Sequence, residues 1–175
     1  LLLVAKAHED RFELADARGC LDRVLQLQPD HAGAALGIAR LMDLAGETSE
    51  AVVRLEALCT RQPDFAPAWL LRARLALDEG EVSAARGYYD KAVALEGVSG
   101  ELKQNAYFDQ GECFFNAKDF AGVVACLKKA AEAAPDSSKA ANLQAMIQRF
   151  SPAAEAQEAV AKIKIYGEQG LVVYA

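Results

Sequence analysis

Pro29-Asp30 and Pro63-Asp64 lie 34 residues apart, each pair following a helix-like run. A fixed period of this length constrains the fold strongly, because each period has to repeat one supersecondary unit. The best-defined period is Ala66–Gly97, APAWLLRARLALDEGEVSAARGYYDKAVALEG. Trp69, Ala73 and Ala76 recur at helical spacing on one face of a first helix. Asp78-Glu79-Gly80-Glu81 breaks the pattern, and Gly80 can take the left-handed conformation that ends a helix. A second helix is predicted from Val82 to Leu95, with Ala85, Tyr89, Ala92 and Val93 on one face. Neither helix can bury its apolar face alone, so the pair needs neighbours.

The chain supplies them. A shift of 34 residues places Ala39 under Ala73, Gly46 under Gly80, Glu47 under Glu81, Ala51 under Ala85 and Leu55 under Tyr89. A second shift places Ala5 under Ala39, Ala17 under Ala51 and Leu21 under Leu55. Going forward, the register resumes after a four-residue insertion at Gly97-Val98-Ser99-Gly100. Tyr107 then matches Trp69, Gly111 matches Ala73, Leu127 matches Tyr89, Ala130 matches Ala92, and Pro135 closes the unit.

These residues resemble the tetratricopeptide repeat, a 34-residue helix–turn–helix with Trp, Leu-Gly and Tyr in its first helix, Ala and Phe in its second, and a closing Pro. Trp69, Ala73, Ala85, Tyr89 and Ala92 fit; Arg72 stands where Leu is usual, Ala76 where Tyr is usual and Gly97 where Pro is usual. In the first copy, Phe12 falls at the turn glycine. The resemblance covers residues 1–137 and implies an all-α fold: a right-handed α-solenoid of about four repeats, at 1–29, 30–63, 64–97 and 101–137. Capping helices are predicted over 138–166, and 167–175 reads as a tail or linker.

Within this frame, Asp30 is expected to cap a helix beginning at His31, and Thr48 and Ser49 mark the next start. Pro67 suits a first helical turn, where its missing N–H costs nothing. Asp119 is expected to cap the second helix of repeat four, with Phe120 packing back onto the turn. Asp136 or Ser137 should start a helix to Phe150, with Leu143, Met146, Ile147 and Phe150 as its apolar stripe. Ser151-Pro152 reads as the start of a separate last helix ending near Tyr166.

Composition narrows the function classes. A net charge of −6, with no block of Lys or Arg, argues against nucleic acid, whose phosphates call for a basic surface. No apolar run reaches the ~18–20 residues of a membrane span, and Leu1-Leu2-Leu3-Val4-Ala5 reads as the first helix rather than a signal segment. Cys20, Cys59, Cys113 and Cys126 form no Cys-x-x-Cys pair, and neither His8 nor His31 completes a metal-ligand spacing. The cysteines read as small, mostly buried residues of a reduced protein, and the expected compartment is the cytoplasm, with the periplasm as the alternative where an N-terminal signal has been removed. No phosphate loop, His-x-x-x-His pair or nucleophile elbow is present, so neither enzyme activity nor a cofactor is expected.

The first helices carry the candidate ligand surface, since in the resembled family they line a concave groove that binds peptides. Lys6, Arg40 and Arg74 recur at the repeat spacing, and Leu2, Leu36 and Leu70 stand one turn earlier. In the fourth repeat Phe108 takes the leucine place, Glu112 the cation place, and Phe115 lies a turn beyond. The pattern suits a protein or peptide with apolar anchors and acidic groups. Arg40 with Asp43, Arg74 with Asp78, and Lys6 with Glu9 or Asp10 are competing local pairs, each worth about 0.2–0.5 kcal/mol. The leading reading is a non-catalytic scaffold that helps assemble a complex. Two others stand beside it: a targeting arm of a larger enzyme such as a transferase, and self-association through the tail.

Overall fold

The computed structural model describes residues 1–11 and 13–168. Among these residues, the regular elements are α-helices. They are α1 (Leu2–Asp10), α2 (Leu14–Leu27), α3 (Ala32–Leu44), α4 (Thr48–Arg61), α5 (Ala66–Asp78), α6 (Val82–Ala94), α7 (Gly100–Asn116), α8 (Phe120–Ala133) and α9 (Ala140–Glu168). No described helix is long and apolar enough to cross a membrane. The chain divides into two compact units, Leu1–Glu96 and Gly97–Ala175. In the first, α1 pairs with α2, α3 with α4 and α5 with α6, while α2 also meets α3 and α4 meets α5. In the second, α8 packs against both α7 and α9.

The repeat register is the burial register. Ala5, Ala39 and Ala73 are buried on the first helices, and Gly111 takes that place on α7. On the second helices the pattern is Ala17, Ala51, Ala85 and Val123, followed one turn later by Leu21, Leu55, Tyr89 and Leu127. The alanines let the helices approach, and the large residues fill the space between them. Each large apolar side chain removed from water contributes about 1.5–3 kcal/mol.

One C-terminal motif ends three of the first helices. Gly46 and Gly80 have φ of 82° and 81°. The Glu47 N–H donates to the Met42 carbonyl, and the Glu81 N–H donates to the Ala76 carbonyl, both at 2.8 Å. This is the Schellman pattern, which satisfies carbonyls that the helix end leaves open. In repeat four Lys118 occupies the glycine place at φ 57°, and the Asp119 N–H donates to the Phe114 carbonyl at 2.9 Å. A side chain in this region is disfavoured by about 1–2 kcal/mol, partly offset in glycine by its freer unfolded chain. Lys118→Gly is therefore expected to raise stability by up to about 1 kcal/mol, read as a higher urea midpoint with unchanged slope.

Two helix starts differ from expectation: that of α3, and that of α9, which begins at Ala140 rather than at Asp136 or Ser137. The first turn of α3 is capped by His31, whose Nδ1 accepts from the Ala34 N–H at 3.1 Å, and not by Asp30. Helix α4 does start at Thr48, as expected; no side chain caps it, and Thr48 Oγ1 donates to Asp43 Oδ1 at 3.2 Å. Asp119 does cap α8, accepting from the Gly122 N–H at 2.9 Å.

The largest correction concerns the C-terminal region. Ser151-Pro152 does not open a new helix; α9 runs through it from Ala140 to Glu168. Pro152 removes one donor, and Ser151 Oγ bonds the Ile147 carbonyl at 2.7 Å. Contacts beyond the proline hold the helix on course. Ala154 is buried, and Gln157 grips the α7–α8 turn from both sides. Its Oε1 accepts from the Phe120 N–H, and its Nε2 donates to the Lys118 carbonyl, each at 2.9 Å. Residues 167 and 168, expected in the tail, belong to α9, and the rest of that tail lies outside the described residues.

Candidate functional site

In the second unit, Phe108, Gly111, Glu112 and Phe115 fall on one face of α7, at the i, i+3, i+4 and i+7 places. With Val123 and Leu127 of α8 and Met146 and Phe150 of α9, they line an open cleft of about 280 Å³. Its walls are set by local chemistry. The buried Gln104 on α7 donates to the Ala130 and Ala134 carbonyls at the end of α8, pinning the two helices together. Gly122 on α8 leaves room for the Phe114 ring, which a side chain there would strike. Phe115, Phe120 and Phe150 form a cluster with ring centroids 6.0–6.3 Å apart, two pairs edge-on and one stacked. Such pairs contribute about 0.5–1.5 kcal/mol each beyond their buried area.

Two of the aromatic side chains stay about half uncovered. Phe108 is 45% exposed and Phe115 is 49% exposed. Among the described residues lining the cleft, Glu112 alone carries a charge. The site therefore favours apolar side chains, with one carboxylate at hand to accept an N–H or pair with a cation.

The first unit carries the rest of the sequence-derived surface, and it is less open than expected. Leu36 is half-buried and packs on the core; Leu70 and Arg40 are also half-buried. Arg74 and Lys6 are exposed. The ion pair of Arg74 is not with Asp78 on its own helix but with Asp43 of α3, at 3.7 Å. Glu9 and Asp10, the proposed partners of Lys6, have side chains outside those described.

An arrangement that spacing could not show lies where α4, α5 and α6 meet. Arg72 on α5 is 6% exposed, and its Nη2 donates to Glu56 Oε1 at 3.4 Å. Its guanidinium centre sits 4.9 Å over the Tyr88 ring. Its Nε and Nη1 meet no acceptor among the described residues. Tyr88 stacks on Trp69 at 6.0 Å, and Lys91 Nζ lies 4.6 Å over the Trp69 ring. Trp69 Nε1 donates to the Pro63 carbonyl at 2.7 Å, so the indole is anchored as well as stacked.

Cys59 on α4 is buried close by, and all four cysteines are free thiols. Burial pushes the Cys59 thiol up from 9.0 to about 11, against the opposing charges of Lys91 and Arg72. A raised pKa in the folded state means the contribution is complete below pH 9 and declines as pH rises toward 11. Urea titrations from pH 8 to 10.5 are expected to show the parent losing more stability than Cys59→Ala. Parallel pH profiles would contradict this.

Two other features lie in the first unit. Leu1, Leu2, Leu3, Val24, Leu27, Gln28 and His31 border a hollow of about 420 Å³. Leu3 stands in the register of Gly37, whose added Cβ would sit 2.7 Å from Leu21 of the preceding helix. Leu1, Leu2 and Leu3 on the rim of the hollow are exposed. His8, Glu13 and Asp16 bring ligand atoms within 4.8 Å of one another, a grouping that sequence spacing missed. His8 Nδ1 and Glu13 Oε2 lie 2.5 Å apart; this hydrogen bond, then Arg11, holds the Glu13 carboxyl below its ordinary range.

Tetratricopeptide repeat family models match residues 10–75 and 70–138. No curated protein sequence matches the chain. Among solved structures, a MamA protein has a TM-score of 0.64 at 14% identity, over 99% of this chain and 96% of that one. Kinesin light chain repeats from Podosopora anserina have a TM-score of 0.69 at 16% identity, over 98% and 95%. The type III secretion translocator chaperone SycD from Yersinia enterocolitica has a TM-score of 0.62 at 16% identity, over 73% and 88%. At these identities the likeness is one of fold.

Proposed function

Because this chain belongs to the tetratricopeptide repeat family, we propose that it is a non-catalytic interaction module that holds a protein or peptide segment in the cleft of α7, α8 and α9. Holding such a segment would help assemble a complex. One observation carries the reading: Phe108 and Phe115 remain about half uncovered on the wall of an apolar cleft. Covering them is the largest gain a ligand could make there, at about 25 cal/mol per Å² of apolar surface. The ligand is an extended or helical segment with apolar anchors, and a donor or cation placed for Glu112.

The acidic preference suggested by the cation row belongs, in this reading, to the first unit. There Leu36, Arg40, Leu70 and Arg74 would meet acidic groups of a ligand of that unit, with Lys6 on α1 adding charge. Arg74 already faces Asp43, but with the Arg74 side chain 52% exposed and that of Asp43 19% exposed, water screens the pair from the Arg74 side. An incoming carboxylate can therefore compete for it. The fold likeness to SycD, named as a type III secretion translocator chaperone, supports this reading.

Peptides selected from a displayed library on the full chain test the reading. Apolar anchors are expected in the selected sequences, and Phe108→Asp should weaken their binding about tenfold with unchanged helical circular dichroism. Equal affinity for parent and variant would remove the cleft from the account. Arg40→Glu with Arg74→Glu should weaken only acidic peptides that bind the first unit.

A further inference from the structure

We infer that the cleft of one copy takes the segment Leu171–Tyr174 of a second copy. This rests on reading the cleft as a peptide site. The segment Leu171-Val172-Val173-Tyr174 has no charged side chain, so entering an apolar cleft costs it no ion desolvation. The cleft offers Phe108, Phe115, Met146 and Phe150 to its aliphatic residues, and Glu112 can accept the Tyr174 hydroxyl.

Chain geometry makes the pairing intermolecular. The helix α9 lines the cleft at Met146 and Phe150 and then continues to Glu168. At 1.5 Å per residue, Glu168 lies about 27 Å beyond Phe150 along the helix. The chain from Glu168 to Leu171 spans only about 10 Å even when fully extended. Leu171 therefore falls well short of the cleft on its own molecule, whereas a neighbouring molecule can present the segment freely. One tail filling one cleft gives either a reciprocal dimer or a growing chain of copies.

Two measurements test this on the chain of 175 residues. Sedimentation equilibrium should show a mass that rises with concentration for the parent. A monomer is expected for Leu171→Asp with Val173→Asp, and also for Phe108→Asp. A fluorescent peptide of residues 167–175 should bind the Leu171→Asp/Val173→Asp chain saturably. That affinity should fall about tenfold when Phe108→Asp is added. Absence of saturable peptide binding overturns the inference, as does a parent that stays monomeric at every concentration. If library-selected peptides still bind in a Phe108-dependent way while the tail peptide does not, this inference falls and the peptide-cleft reading stands.

Discussion

Tyr89→Ala is expected to cost about 3–5 kcal/mol of unfolding free energy, the range for losing a large buried aromatic side chain. Tyr89 is 1% exposed and holds the place filled by Leu21, Leu55 and Leu127 in the other repeats. Much of its surrounding register is alanine, at Ala73, Ala76, Ala85 and Ala92. Methyl groups on helix backbones cannot swing in to fill the space, so most of the cavity would persist. A loss of this size is a large share of the ~5–15 kcal/mol of an ordinary domain. Trp69, the chain's single tryptophan, sits in the same repeat, so its fluorescence reports this transition in urea. A loss below about 1 kcal/mol would mean that the repeat core is not packed as described.

The opposite sign is expected for Arg72→Leu, which should stabilise by about 1–4 kcal/mol. The buried guanidinium has one carboxylate partner at 3.4 Å, and its Nε and Nη1 face no acceptor among the described residues. Each unsatisfied buried donor costs about 1–3 kcal/mol. The Tyr88 face returns part of that through its quadrupole. Leucine is the residue the repeat pattern usually places there, and it carries no donors to satisfy. Glu56→Ala should destabilise the parent, by less than a fully buried pair would, since Glu56 is 57% exposed. In the Arg72→Leu background the same change should have little effect. A double-mutant cycle in urea checks this coupling. A destabilised Arg72→Leu chain would show that the arginine's packing outweighs its desolvation.

Much of the fold was legible because the repeat period and the burial pattern are the same signal. Positions aligned by 34 residues, such as Ala17, Ala51 and Ala85, share the same depth in the core. Gly46 and Gly80 marked the turns for a backbone reason, since both require positive φ. The helix break at Ser151-Pro152 was misread because serine before proline serves equally to open a helix and to continue a bent one. The deciding contact, Gln157 with the α7–α8 turn, joins residues far apart in sequence. The cap at His31 was missed for a smaller reason: two adjacent polar residues compete for one set of orphan donors.

The candidate site was half legible. Phe108, Glu112 and Phe115 share a face of α7 by spacing alone. Met146 and Phe150 read only as the buried stripe of α9, and packing across α8 is what brings them to the same cleft. The cation row of the first unit overstated its openness, because spacing cannot show that Leu36 packs on the core or that Arg74 meets Asp43. Arg72 appeared in the sequence only as a departure from the repeat pattern, with no sign of the aromatic stack it joins.

Nuclear magnetic resonance mapping of a library-selected peptide on the isotope-labelled chain tests the cleft most directly. Saturable shifts are expected at Phe108, Gly111, Glu112, Phe115, Met146 and Phe150, with intermolecular contacts from the peptide's apolar anchors to the Phe108 and Phe115 rings. Saturable binding whose shifts leave α7 and α9 unchanged would contradict the account.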